Sequence, residues 1–135
     1  MLGWWSLGWM LAGCARVPEP PSEGRLAPCW SSPNCVSTMA DAADAQHYIA
    51  PVAAEALDGA DALVDAVMAL PGCAVTHSGP GEVLAECSTP SGVFTDDLHL
   101  VVVDGQLHAR SSSRLGYGDL WVNRARLEAL LSPYR

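Results

Sequence analysis

The stretch "VFTDDLHLVVVDGQLHARSSS", residues 93–113, constrains the fold more than any other part of the chain. Two runs flank Asp104-Gly105, the first ending in three valines, and Asp-Gly in that position is a strong signal for a two-residue hairpin turn. With this turn Val103 faces Gln106, and side chains alternate between the two faces from there. Leu98, Leu100 and Val102 then share a face with Leu107 and Ala109, an apolar set suited to packing against helices. The other face carries Asp97, His99 and Val101, opposite Ser112, Arg110 and His108 respectively.

A second hairpin precedes this one. "CAVTHSGPGEVLAEC", residues 73–87, reads as strands 73–78 and 82–88 around a Gly79-Pro80-Gly81 tip. If Ser78 pairs with Glu82, Cys73 lies directly opposite Cys87 on one face, and a cross-strand disulfide follows. Cys29 and Cys35 bracket "WSSPN", a turn-forming stretch short enough for a disulfide to close. Four cysteines allow three pairings, and local sequence favours Cys29–Cys35 with Cys73–Cys87. Their spacings lack the paired Cys-x-x-Cys of structural zinc, so no metal or other cofactor is expected.

The remaining elements complete an α+β expectation. "HYIAPVAAEA" reads as an edge strand. Asp58 is placed to cap a helix over about 59–70, with Leu63, Val64, Val67 and Leu70 buried and Pro71-Gly72 ending it. A last helix runs from about Leu120 to Leu131. The order strand, helix, four strands, helix gives an antiparallel four- or five-stranded sheet with both helices on one face. At 135 residues the chain has room for one domain.

The N-terminus reads differently. "MLGWWSLGWMLAGC" is an uncharged apolar run, too short to span a bilayer and of the length of a signal-peptide core. Its end, Leu11-Ala12-Gly13-Cys14, resembles the lipobox of bacterial lipoproteins, although no Lys or Arg precedes the run. The resemblance implies a signal peptide over 1–13, acylation at Cys14, and a membrane partner engaged through that lipid. The protein would face the periplasm, on the outer membrane where the host has one. "ARVPEPPSEGRLAP" has four prolines and no hydrophobic period, so 14–28 reads as a tether and 29–135 as the domain. A net charge of −8 argues against nucleic acid as a partner.

Cations are concentrated unevenly. The chain has seven arginines and no lysine, and three of them fall in "RSSSRLGYGDLWVNR", Arg110 to Arg124. The hairpin register gathers Asp97, His99, Arg110 and Ser112 on the helix-free side, and with Arg114 they form a candidate site for a small anionic ligand. In the last helix Leu120, Leu127, Leu130 and Leu131 define a buried stripe that includes Asn123 and Arg124. Asp119, Asn123 and Arg124 therefore read as a polar latch fixing helix to sheet, because a buried guanidinium requires a carboxylate or several carbonyls.

Two stretches carry a family resemblance. "CWSSPNCVST" with "HYIAPV", and "DDLHLVVVDGQLHARSSSRLGYGDLWVNRARLEAL", are similar to the N- and C-terminal signatures of the bacterial domain-of-unknown-function family 1499, covering nearly all of 29–131. The family's Pro-Asn-Cys-Val element matches Pro33 to Val36. Its Arg-Ser-x-Ser-Arg-x-Gly-Tyr-x-Asp-x-x-x-Asn-Arg run matches Arg110 to Arg124. Trp121 stands where glycine is common. The resemblance supports the fold unit and implies no activity, substrate or cofactor.

No nucleophile elbow such as Gly-x-Ser-x-Gly is present, and a metal site at Asp97, His99 and His108 is disfavoured against surface histidines. The reading is a lipid-anchored envelope module that binds a ligand or an envelope protein through the arginine segment. The alternatives are a small periplasmic hydrolase or lyase using Asp97, His99 and Arg110, and a structural envelope subunit.

Overall fold

A computed structural model describes residues 15–18, 20–57 and 59–135. The expected signal peptide (1–13), Cys14 and the expected cap Asp58 lie outside those residues. The elements are β1 (Cys35–Ser37), β2 (Val52–Ala53), α1 (Ala60–Met68), β3 (Cys73–Gly79), β4 (Glu82–Ser88), β5 (Thr95–Val103), β6 (Gln106–Ser113) and α2 (Val122–Leu131), with short 3-10 turns at Glu55–Leu57 and Ser132–Tyr134. The strands run β1-β6-β5-β4-β3, all antiparallel, and β2 also pairs with β6. The short β1 and β2 take successive parts of one β6 edge, so the sheet is five strands across. The expected first strand shrinks to Val52–Ala53. No pattern announces β1, whose three residues begin at Cys35, the second half of a cystine.

The β5–β6 hairpin has the expected register, with Val103 opposite Gln106, His99 opposite Arg110 and Asp97 opposite Ser112. Leu98, Leu100, Leu107 and Ala109 are buried with Leu63 and Val67 of α1 and Leu127 and Leu131 of α2 in one apolar core. Both helices thus cover the same face. Burying such side chains contributes roughly 1.5–3 kcal/mol each, and this dominates the stabilisation.

The β3–β4 hairpin reaches its cysteine pairing by another route. Gly79, not Ser78, faces Glu82, and a bulge between Val75 and His77 then shifts the register back, so Cys73 still faces Cys87. Two one-residue deviations cancel. Both expected disulfides, Cys29–Cys35 and Cys73–Cys87, are formed. Gly72, at φ 73°, ends the α1 turn against β4, where a Cβ would stand 2.9 Å from the Ser88 carbonyl oxygen. Only glycine fits there without a shift.

The helix-free face is not open. Residues 22–30 cross it: Leu26 is buried, the Ser22 amide donates to Glu82 Oε1 at 2.6 Å, and the Pro28 carbonyl accepts from Arg110 Nη2 at 3.3 Å. Part of the stretch read as a tether is therefore docked. Its prolines hold it extended while its backbone meets polar groups that the sheet turns outward. Among the described residues no helix is long and apolar enough to cross a membrane.

Candidate functional site

The register brings Asp97, His99, Arg110 and Ser112 together on the helix-free face, and each meets protein groups there. His99 Nε2 lies 2.7 Å from Glu82 Oε1. Burial alone would raise the Glu82 carboxyl, but bonds from the Ser22 amide and His99 outweigh it and hold it below the ordinary range. Arg110 donates from Nη1 to Ser112 Oγ at 2.9 Å, and its guanidinium stacks on Trp30 at 4.8 Å from the ring centroid. Burial, with the nearby Arg16 charge, lowers Arg110 to about 10. Arg114 grips Asp97 through two bonds, Nε to Oδ2 at 2.9 Å and Nη2 to Oδ1 at 2.7 Å, and reaches Glu86 Oε1 at 2.7 Å. These carboxylates raise the Arg114 pKa. Two anions around one cation leave the local balance negative.

The helix face holds a second polar network, at the α2 end of the sheet. Asn123 is fully buried, accepts from Ser111 Oγ at 2.7 Å, and donates through Nδ2 to Ser113 Oγ at 2.8 Å and Asp119 Oδ2 at 2.7 Å. Asp119 also accepts the Asn123 amide at 3.0 Å, satisfying a donor at the helix start. The latch thus includes Asp119 and Asn123 as read. Arg124 requires correction. It points outward to the carbonyls of Ala45, Gln46 and Tyr48 at 3.2, 3.1 and 3.0 Å, fixing the loop before β2.

The cation that α2 buries is Arg126. Its Nη1 lies 2.9 Å from Asp96 Oδ2, 3.0 Å from Ser111 Oγ and 3.1 Å from Asn123 Oδ1. The displacement has a local cause. Leu120 and Trp121 adopt left-handed backbone, φ 53° and 66°, so the helix begins at Val122 and Leu120 is 93% exposed instead of buried. Counted from Val122, the inward positions are Asn123, Arg126, Leu127, Leu130 and Leu131, a helical stripe that contains Arg126 and omits Arg124.

Beside this network lies a groove of ≈ 390 Å³, walled by Phe94 from the β4–β5 connection and by Leu115, Leu120 and Val122 from the β6–α2 region. Its buried lining includes Ser113 and Asp96, the latter 0% exposed. Asp96 Oδ2 has its ion pair with Arg126, whereas Oδ1 finds no donor among the described residues. A buried carboxylate oxygen without a protein donor is costly, and in native structures water or another bound group meets it. The sequence reading missed the groove because its walls belong to two loops with no periodicity.

A second cavity of ≈ 420 Å³ lies at the Cys29–Cys35 cystine, lined in part by Cys29, Trp30, Met39, Asp44 and His47. His47 Nδ1 is 2.7 Å from Asp44 Oδ2, and Nε2 is 3.0 Å from both the Ser32 carbonyl oxygen and Gln46 Nε2; when protonated, the ring donates to the two oxygens. Burial alone would lower His47, but Asp44 and the Ser32 carbonyl outweigh it and raise its pKa. Its polar groups serve each other. Among the described residues no group of three or more His, Cys, Asp or Glu is arranged to hold a metal ion.

Comparison with curated proteins and with solved structures returned no match. The profile of one family matches residues 25–133, a span that contains the α2 network, both cystines and all the groove walls. The chain therefore belongs to the family described as protein of unknown function (DUF1499).

Proposed function

We propose that the protein is a lipid-anchored cell-envelope module that binds a small amphipathic ligand in the groove between Phe94 and Leu115. The Leu11-Ala12-Gly13-Cys14 sequence supports the anchoring, through acylation of Cys14. One observation carries the binding: an apolar groove of ligand size has, in its lining, a buried carboxylate oxygen that lacks a donor. The ligand that fits has an apolar body and a neutral head offering an N–H or O–H. An anion does not fit. Asp96 and Asp119 line the groove, and Arg114 and Arg126 are engaged by carboxylates.

None of Arg110, Arg114 and Arg124 lines the groove, and each is bound to protein groups instead. A hydrolase or lyase acting through Asp97, His99 and Arg110 would need those groups to reach substrate, but Asp97 is clamped by Arg114, and His99 and Arg110 are buried under residues 22–30. Thermal unfolding with a panel of neutral amphiphiles, such as phenols, fatty alcohols and monoacylglycerols, tests the reading. Ligand at a hundred times its Kd adds about 2.7 kcal/mol, and that rise should vanish in Phe94→Ser and Leu115→Ser, whose side chains are half exposed. No rise with any of these compounds, or a rise that survives in both variants, overturns it.

A further inference from the structure

Six of the nine exposed large apolar side chains among the described residues cluster in two loops: Val93, Phe94, Leu115, Tyr117, Leu120 and Trp121. Both loops lie at the end of the sheet where β5 starts and β6 stops, opposite the Pro80-Gly81 and Asp104-Gly105 turns. Patches of this kind on a single-domain surface mark an interaction face. Leu120 and Trp121 are held in left-handed backbone with their side chains in solvent, 93% and 71% exposed. Such strain persists where it presents a side chain for use.

The N-terminal segment indicates what that face meets. The Arg16 amide donates to the Arg114 carbonyl at 2.8 Å, and its guanidinium donates to the Gly116 carbonyl at 3.0 Å and stacks on Trp30 at 4.1 Å. Cys14 precedes Arg16 by two residues in the sequence. An acyl chain on Cys14 would therefore join the domain close to the loop that begins with Arg114 and Leu115 and carries the other apolar side chains. A chain pinned at Arg16 has no slack with which to hold the domain away from the lipid.

We propose that this apolar tip seats on the bilayer surface, with Tyr117 and Trp121 at headgroup depth and Leu120 beneath. The inference rests on the anchored reading above. Tyr and Trp are the side chains that favour the membrane–water interface, and an acyl chain joined to a second, local contact holds far better than one chain alone. Asp119 and the net charge of −8 suit a zwitterionic rather than an anionic surface.

The full chain, reconstituted in phosphatidylcholine vesicles, provides the test by flotation, by mass analysis of the Cys14 peptide and by amide hydrogen exchange. Wild type should float and carry acyl mass. Exchange at residues 115–118 should be at least about fivefold slower than in a vesicle-anchored Leu120→Asp/Trp121→Asp variant, while residues 80–81 and 104–105 exchange alike in both. Unchanged protection of β5 and β6 shows that the variant is folded. Equal exchange at 115–118 in two floating proteins overturns tip docking and leaves the anchor standing. Absence of acyl mass together with failure to float overturns the anchor, and tip docking with it.

Discussion

Replacing Arg126 with Met tests whether the α2 network is an ion pair sealed from water. The two side chains are only 7% and 1% exposed, and Met fills most of the guanidinium's volume, so the lost stability is mainly electrostatic. Asp96 would be left with neither a cation nor enough donors. A carboxyl in that state takes up a proton, and at pH 7 this costs about 1.4 kcal/mol for each of the roughly three pH units separating 7 from the ordinary carboxyl value, or about 4 kcal/mol. At pH 5 the same step costs only about 1.5 kcal/mol. The folded variant then binds a proton that the unfolded chain lacks, so its stability falls as pH rises from 5 to 7. For a domain of this size about 4 kcal/mol lowers the thermal midpoint by roughly 16 °C. Urea unfolding at pH 5 and pH 7, with both disulfides intact, reads both values. Adding Asp96→Asn should recover most of the loss at pH 7, because a neutral amide needs no cation. A loss below about 1 kcal/mol at pH 7, or the same loss at both pH values, would show that water reaches the pair and that the argument is wrong.

Two further outcomes follow from the same geometry. The histidines oppose each other in pH. His47 is raised from 6.5, so its stabilisation is complete below that value and is lost as pH climbs through its folded pKa; His108 is lowered by burial, so stability is lost as pH falls below 6.5. Around neutrality the thermal midpoint should peak near pH 6.5, His47→Ala should flatten the alkaline side and His108→Ala the acidic side; a wild-type profile matched by both variants refutes the assignment. Trp121→Gly relieves a left-handed bulky residue, worth about 1–2 kcal/mol, against glycine's extra entropy of about 0.5–1 kcal/mol. A net gain of about 0.5–1 kcal/mol is expected in urea unfolding, and no gain over Trp121→Ala would mean that the backbone there is unstrained.

The elements governed by short-range pattern were legible in the sequence. Asp104-Gly105 fixed the β5–β6 register, and with it the shared face of Asp97, His99, Arg110 and Ser112. Both cystines followed from local spacing, though Cys73 and Cys87 came opposite through two errors that cancelled, a tip one residue tighter and a bulge. The last helix shows where pattern fails. Leu120 looks like the first member of an apolar stripe, and nothing in side-chain type announces that it and Trp121 turn left-handed. Starting the helix two residues early made Arg124 seem buried and hid Arg126. Asp96 pairs with Arg126, a partnership that depends on that helix phase and so stays hidden in the pattern. The groove and the docked residues 22–30 arise from loops, whose positions are set by tertiary contacts that no periodicity encodes.

The bulge on β3 has a consequence beyond register. Among the described residues β3 pairs only with β4, so its outer side presents an unpaired row of backbone donors and acceptors. A flat edge of that kind recruits the same strand from another molecule, and a population confined to a membrane, as proposed above, meets its own copies often. The kink between Val75 and His77 breaks the row into two short pieces that no straight strand can match, while the Cys73–Cys87 cystine keeps β3 from peeling away to find a swapped partner. The edge is thereby guarded against pairing with its own copies.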